Sequence, residues 1–106
     1  MIRVRPLSDE EILSEVVSVI SRYLPEATVY LFGSRASGRA KENSDFDIAI
    51  EWKEKIPLSS ISRIREKLED LPTLKSFDIV DLKRCSEEFV RSVKERGVVL
   101  YDGKRA

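Results

Sequence analysis

Residues 28–52 read TVYLFGSRASGRAKENSDFDIAIEW. Two strand patterns frame a loop punctuated by glycine. Thr28 to Phe32 is a short apolar run rich in β-formers and closed by Gly33, the pattern of a buried strand. Ser34 to Gly38 is compatible with one short helical turn, and a polar loop follows through Ser44. From Phe46 to Trp52 the sequence alternates. Phe46, Ile48, Ile50 and Trp52 fall on one face, and Asp45, Asp47, Ala49 and Glu51 on the other. That is a strand with one buried face.

Upstream, Ser8-Asp9-Glu10-Glu11 has the capping-box pattern. Behind it Ile12, Val16, Val19, Ile20 and Tyr23 recur at helical spacing, widened by Leu13 and Val17. The spacing predicts a helix over 8–23, ended by Pro25. Downstream, Pro57 suits a helix start, and Leu58, Ile61, Ile64, Leu68 and Leu71 carry the helical period onward. Phe77 to Leu82 (FDIVDL) reads as a third strand. Ser86, Glu87 and Glu88 open a last helix whose apolar stripe is Phe89, Val90 and Val93. Lys94 and Arg96 occupy its last turn, with Gly97 as a left-handed stop. Val98 to Tyr101 is a fourth strand. The order α-β-(short α)-β-α-β-α-β predicts an α/β (α+β) domain with one small sheet and helices mainly on one face.

The 106 residues suffice for one domain, expected to span 1–106. The core material is ample, because 29 residues are Leu, Ile or Val. Lys plus Arg total 19 and so do Asp plus Glu, so there is no net positive charge to hold a nucleic-acid backbone. One cysteine excludes an internal disulfide and a cysteine-based metal cluster. The absence of histidine removes the commonest general base and zinc ligand. Catalysis must therefore run on carboxylates, hydroxyls, Lys, Arg or bound metal. No apolar run approaches the ~18 residues of a membrane span. The opening MIRVRPLSDEE turns acidic where a signal peptide would be apolar. A cytoplasmic location without a membrane partner is expected. Thirty-six per cent charged residues, no Gln and a single Asn fit a heat-adapted source.

Three features in the middle of the chain carry chemistry. Gly33 lets another group approach the backbone, and the N–H groups that follow, with the Ser34 hydroxyl, suit an anion such as phosphate. A plain strand-to-helix turn would look the same. Asp45 and Asp47, two apart in a strand, share a face. Two adjacent carboxylates repel unless a cation lies between them, and magnesium is held this way with substrate phosphates. A solvated strand face is the alternative, since Glu51 lies on the same side. Asp78 has the parity of Asp45 and Asp47 if its strand is their neighbour, whereas Asp81 falls on the opposite face and reads as a cap or a solvated end. Three carboxylates on one open face beside a phosphate-sized turn make a two-metal site.

The run Gly33-Ser34-Arg35-Ala36-Ser37-Gly38-Arg39-Ala40, followed by Ser44-Asp45-Phe46-Asp47-Ile48-Ala49-Ile50, resembles the signature of the nucleotidyltransferase superfamily that includes DNA polymerase β. The small size and the ending FDIVDL…ERGVVLYDG resemble its minimal, MntA-like branch, whose members pair with HEPN proteins. The resemblance spans about residues 12–102. It implies the nucleotidyltransferase fold, with a small mixed sheet of about four strands. Gly33 and Ser34, joined by Arg35 and Ser44, would bind the nucleotide, with Gly33 and Ser34 on the β- and γ-phosphates. Asp45, Asp47 and Asp78 would be the catalytic carboxylates and the ligands of two Mg2+ ions, with ATP as substrate. Asp78 would also help to activate the attacking hydroxyl. Arg35 and Arg39 could meet phosphate oxygens or simply be solvated. Many minimal members read G-S-R-A-R-G, so Ser37 stands where a second arginine is usual.

The resemblance further implies an antitoxin that moves a nucleoside monophosphate, AMP from ATP, to a protein hydroxyl on a HEPN toxin. The alternative is an antitoxin that binds nucleotide and partner and neutralises by contact alone. Nucleotide addition to RNA is disfavoured by the neutral charge. A homodimer is left open. Cys85, with no nearby His or second Cys, reads as incidental. Trp52, Tyr30 and Tyr101 read as core or sheet-rim aromatics, and Lys53-Glu54-Lys55 as a solvated loop.

Overall fold

The structure, a computed structural model, describes residues 5–41 and 44–105. The first four residues of the N-terminal segment, Glu42 and Asn43 of the polar loop, and Ala106 lie outside the described residues. Ser8 caps helix α1 (Asp9–Tyr23) through the reciprocal pair its spacing predicts. The Glu11 N–H donates to Ser8 Oγ at 3.2 Å, and the Ser8 N–H donates to the Glu11 carboxylate at 3.0 Å. Strands β1 (Thr28–Phe32) and β2 (Phe46–Glu51) follow, then helix α2 (Leu58–Glu69) and strand β3 (Phe77–Asp81). A 3-10 turn (Leu82–Arg84), helix α3 (Glu87–Arg96) and strand β4 (Val98–Asp102) complete the chain.

The sheet order is β3-β2-β1-β4, with β2 and β3 parallel and the other pairs antiparallel. A parallel pair needs a crossover, which α2 provides. The mixed four-stranded sheet is the one expected. Its apolar face carries Val29, Leu31, Phe46, Ile48, Ile50 and Ile79, packed on Ile12, Val16 and Ile20 of α1 and Ile61, Ile64 and Leu68 of α2. Several of these side chains are wholly excluded from water, and each such aliphatic chain contributes about 1.5–3 kcal/mol by leaving it. On the opposite face α3 and Leu82 bury Tyr30 and Ala49 through Val93, with Phe32 and Val80 partly covered at the margin. Two helices on one face and a partial cover on the other leave one end of that second face open.

Some local expectations change. Ser34–Gly38 is a hydrogen-bonded turn and not a helix. Ser37 N–H donates to the Gly33 carbonyl at 3.2 Å, Arg39 N–H donates to the Ser34 carbonyl at 2.9 Å, and Gly38 (φ +75°) ends it. Gly97 is not left-handed. Its φ is −76°, and glycine is needed because a side chain would run into the Val93 carbonyl and lie 3.1 Å from the Leu31 carbonyl. Trp52 lies just beyond β2, half-buried against the core. Leu82 leaves the third strand for the 3-10 turn because the Asp81 carboxylate caps that turn, accepting from Lys83 N–H at 2.9 Å. Among the described residues no helix is long and apolar enough to cross a membrane.

Candidate active site

Residue parity along β2 places Asp45 and Asp47 on the open face, and strand pairing brings the third carboxylate beside them. Asp47 and Asp78 are direct partners across the parallel ladder, one step from the Phe46–Phe77 and Ile48–Ile79 pairs that fill the core. Burying Phe46 and Ile48 on one side therefore forces all three aspartates to the other. Asp45 and Asp78 are exposed, while Asp47 is half-buried. Burial pushes the Asp47 carboxyl up from its usual range, and the charges of Asp78 and Asp45 push it in the same direction.

Gly33 closes this cluster from β1. Its φ is +73°, and a Cβ there would collide with the Asp47 carboxylate, 3.1 Å from Cγ. The backbone of the turn is thus pressed against the carboxylate, an approach only glycine allows. Ser34 is half-buried and Arg39 exposed in the same turn. Phe32, opposite Asp47 on the other flank, packs edge-on against Phe89 of α3, with ring centroids 5.4 Å apart.

Arg35 and Ser44, expected at the nucleotide, are engaged with one another and with the loop. The Arg35 guanidinium passes to the helix side of the sheet. It stacks 4.0 Å over the Phe46 ring, donates through Nε and Nη2 to the Ser44 carbonyl (3.0 and 2.8 Å), and pairs with Asp9 at 2.7 Å. Its side chain is 7% exposed. The Ser44 hydroxyl accepts from Lys41 N–H at 2.9 Å. Both residues build the loop. Arg39 is the exposed cation beside the Gly33–Ser34 turn.

Asp81 is buried on the opposite parity. It accepts from Ile56 N–H at 2.8 Å as well as from Lys83, and pairs with Arg84 at 3.3 Å, so it anchors the segment before α2. The Cys85 thiol donates to the Asp81 carbonyl at 3.3 Å. Burial, and after it the Asp81 charge, push the thiol up, away from a reactive thiolate. Tyr101 donates to the Pro25 carbonyl at 2.8 Å, and Tyr30 is buried under α3.

The donors at the open end are all oxygens, which suits a hard cation. Among the described residues no three carboxylates close into a cage around an ion. Magnesium does not need one, because it keeps several waters and completes its shell with substrate phosphates. Three like charges with no Lys or Arg among the described residues in ion-pair reach of them, beside a turn stripped of its Cβ, fit such an ion with a phosphate chain. The carboxylates face open solvent. A hollow of about 650 Å³ lies elsewhere, lined by Glu51, Leu82, Cys85, Val90 and Lys94 and by none of the three aspartates.

Sequence reasoning missed Asp9, Lys75 and Phe89 around this site. Asp9 read only as a helix-start acid, and Lys75 and Phe89 had no pattern linking them to residues so far along the chain.

The family profile described as polymerase beta, nucleotidyltransferase, matches residues 14–106. A protein named probable protein adenylyltransferase MntA, from Haemophilus influenzae, is 30% identical over 95 residues, covering 90% of this chain and 83% of that protein. A chain from a toxin–antitoxin crystal structure with AMP-PNP superposes with a TM-score of 0.72 at 25% identity, covering 85% of this chain and 73% of the other. A chain from the complex of a tri-AMPylated Shewanella oneidensis HEPN toxin with MNT antitoxin superposes at 0.69 and 21% identity, over 90% and 73% respectively, a likeness of fold.

Proposed function

This chain belongs to the polymerase beta nucleotidyltransferase family, and from that premise we propose that it is a Mg-dependent adenylyltransferase. It moves AMP from ATP to a hydroxyl of a HEPN toxin and so acts as that toxin's antitoxin. The observation that carries the reading is the placement of Asp45, Asp47 and Asp78 on one open face against the Gly33 turn. Asp45, Asp47 and Asp78 would hold the magnesium ions. Bound magnesium supplies activation of the acceptor hydroxyl and neutralises charge on the phosphates.

The chain's own residues do the rest. Gly33 lets the phosphate chain reach the turn's backbone, and Ser34 offers a hydroxyl to the β- and γ-phosphates. Arg39 lies exposed beside them. The acceptor oxygen bonds to the α-phosphorus as the bond to the β-phosphate's bridging oxygen breaks, and pyrophosphate leaves. The acceptor's proton passes to the Asp78 carboxylate. The site is open, so the acceptor hydroxyl is presented by the partner, which works in the same compartment, the cytoplasm.

The test is incubation of the purified protein with ATP, magnesium and a HEPN partner. The partner should gain the mass of AMP, and an unchanged mass rejects the enzymatic reading.

A further inference from the structure

A guanidinium that is 7% exposed is costly to bury, and an apolar side chain of similar volume would pack as well or better. Arg35 uses its position fully. Its plane lies on Phe46, two nitrogens converge on one carbonyl, that of Ser44, and a third meets Asp9. Only Arg has the planar fork that can do all three.

What the fork holds is the point of interest. Asp45 stands just before the first residue of β2, at the junction of loop and strand. The peptide joining Ser44 to Asp45 is planar, so fixing the Ser44 carbonyl fixes the plane from which Asp45 departs. The next residue, Phe46, is held beneath the guanidinium and stacked on Phe77 at 5.6 Å, and its N–H donates to the Ser76 carbonyl at 2.9 Å. Asp45 is thus gripped on both sides.

Asp9 completes the device. It accepts from Arg35 and also from Lys75, whose ammonium lies 5.9 Å from the Phe46 ring centroid and three residues before Asp78. The Lys75 hydrogen bond, followed by the Arg35 bond and both positive charges, holds the Asp9 carboxyl below the usual carboxylate range despite some burial. One carboxylate at the head of α1 therefore ties the Gly33–Ser44 loop to the segment leading into β3.

We propose that Arg35 is a positioning residue for Asp45, clamped by Asp9, and makes no contact with the nucleotide phosphates. The inference rests on the metal-dependent reading above. Its test is Mn2+ binding, followed by paramagnetic resonance, in the intact protein and in Arg35→Lys, well below the melting temperature of both. Arg35→Lys keeps the charge and loses the fork and the stack. Mn2+ affinity should fall about tenfold, in the range seen when groups that orient metal ligands are lost. In AMP transfer, kcat should fall by a similar factor while KM for ATP stays within about twofold, because only the metal ligand has moved.

A raised KM with kcat intact would mean a phosphate contact and would overturn the proposal. So would a lower melting temperature with Mn2+ affinity and kcat unchanged, which is a purely structural role. Failure of the unsubstituted protein to bind Mn2+ would refute the metal-dependent reading and this inference with it, whereas equal binding by both proteins refutes the inference alone. If Arg35→Lys does not fold, Asp9→Asn, which keeps the shape and removes the counter-charge, should shift Mn2+ affinity in the same direction. No shift there overturns the proposal.

Discussion

Asp47 and Asp78 face each other directly across the parallel β2–β3 ladder, with Gly33 pressed against the first of them. Like charges placed opposite one another in a sheet destabilise it. The chain carries this pair, with Asp45 beside it, at the open end of the sheet's second face.

Removing one of these charges should leave the fold intact or strengthen it while ending the chemistry. Asp47→Asn in metal-free buffer should melt at or above the temperature of the unsubstituted protein, by up to about 1 kcal/mol of stability. Added Mg2+ with ATP should raise the melting temperature of the unsubstituted protein and not of the variant. A variant that unfolds would mean that Asp47 is a structural residue.

Carboxylate substitution also separates transfer from contact. Asp45→Asn and Asp78→Asn should lose AMP transfer to a HEPN toxin, and with it neutralisation of that toxin. Neutralisation at full strength by both variants would mean that the chain acts by contact.

The two left-handed glycines of the turn should behave differently. Gly33→Ala and Gly38→Ala each force a Cβ into positive φ, at a cost of about 1–2 kcal/mol. At Gly38 nothing lies within 4 Å of the added atom, so transfer should persist. At Gly33 the added atom collides with the Asp47 carboxylate, so transfer should vanish and the loss of stability should be the larger. Melting curves and transfer assays on the pair check both.

Glu51 sets a pH dependence away from the site. Its burial alone would raise the carboxyl, but the hydrogen bond and charge of Lys94, followed by Lys104, outweigh that and hold it below the ordinary glutamate value. A folded value depressed below the unfolded one gives stability that is present above about pH 4.5 and lost as pH falls through the folded value. The Lys94 bond is 2.6 Å, with Glu51 12% exposed and Lys94 46% exposed. Glu51→Gln should therefore cost about 1 kcal/mol or less at pH 7. The difference from the unsubstituted protein should close on acidification, as read by melting temperature against pH.

Asp81 should be the most damaging aspartate to remove, although it takes no part in the chemistry. Its side chain is 1% exposed and meets Ile56 N–H, Lys83 N–H and Arg84. Asp81→Ala leaves those donors unpaired, at about 3 kcal/mol. Transfer per folded molecule should be unchanged. A drop in kcat without loss of stability would contradict this assignment.

Much of this arrangement is legible in the chain. The period-2 alternation of 46–51 and the FDI of 77–79 fix which residues are buried, and parity then puts Asp45, Asp47 and Asp78 on one face and Asp81 on the other once the two strands are neighbours. The Ser8–Glu11 box, the helix stripes and the glycine after Phe32 are signals of the same local kind. Gly97 shows the limit of such reading. Its place after a helix suggested left-handed backbone, whereas the need for glycine arises from the Val93 carbonyl one turn back, with the Leu31 carbonyl, sixty-six positions away, closing in from the sheet.

Arg35 shows the limit at the site itself. In the motif it stands beside Ser34 and suggests phosphate. Its actual partners are Asp9 at the head of α1, Ser44 across the loop and the Phe46 ring on the far side of the sheet. The sequence by itself determined most of the elements, their buried faces and the matching parity of the three carboxylates, because burial and the strand period act between near neighbours. Only the tertiary structure decided which strand lies beside which, that Gly33 touches Asp47, and which way Arg35 turns. A long cation's direction is set by whatever carboxylate, carbonyl and ring the fold brings within its reach.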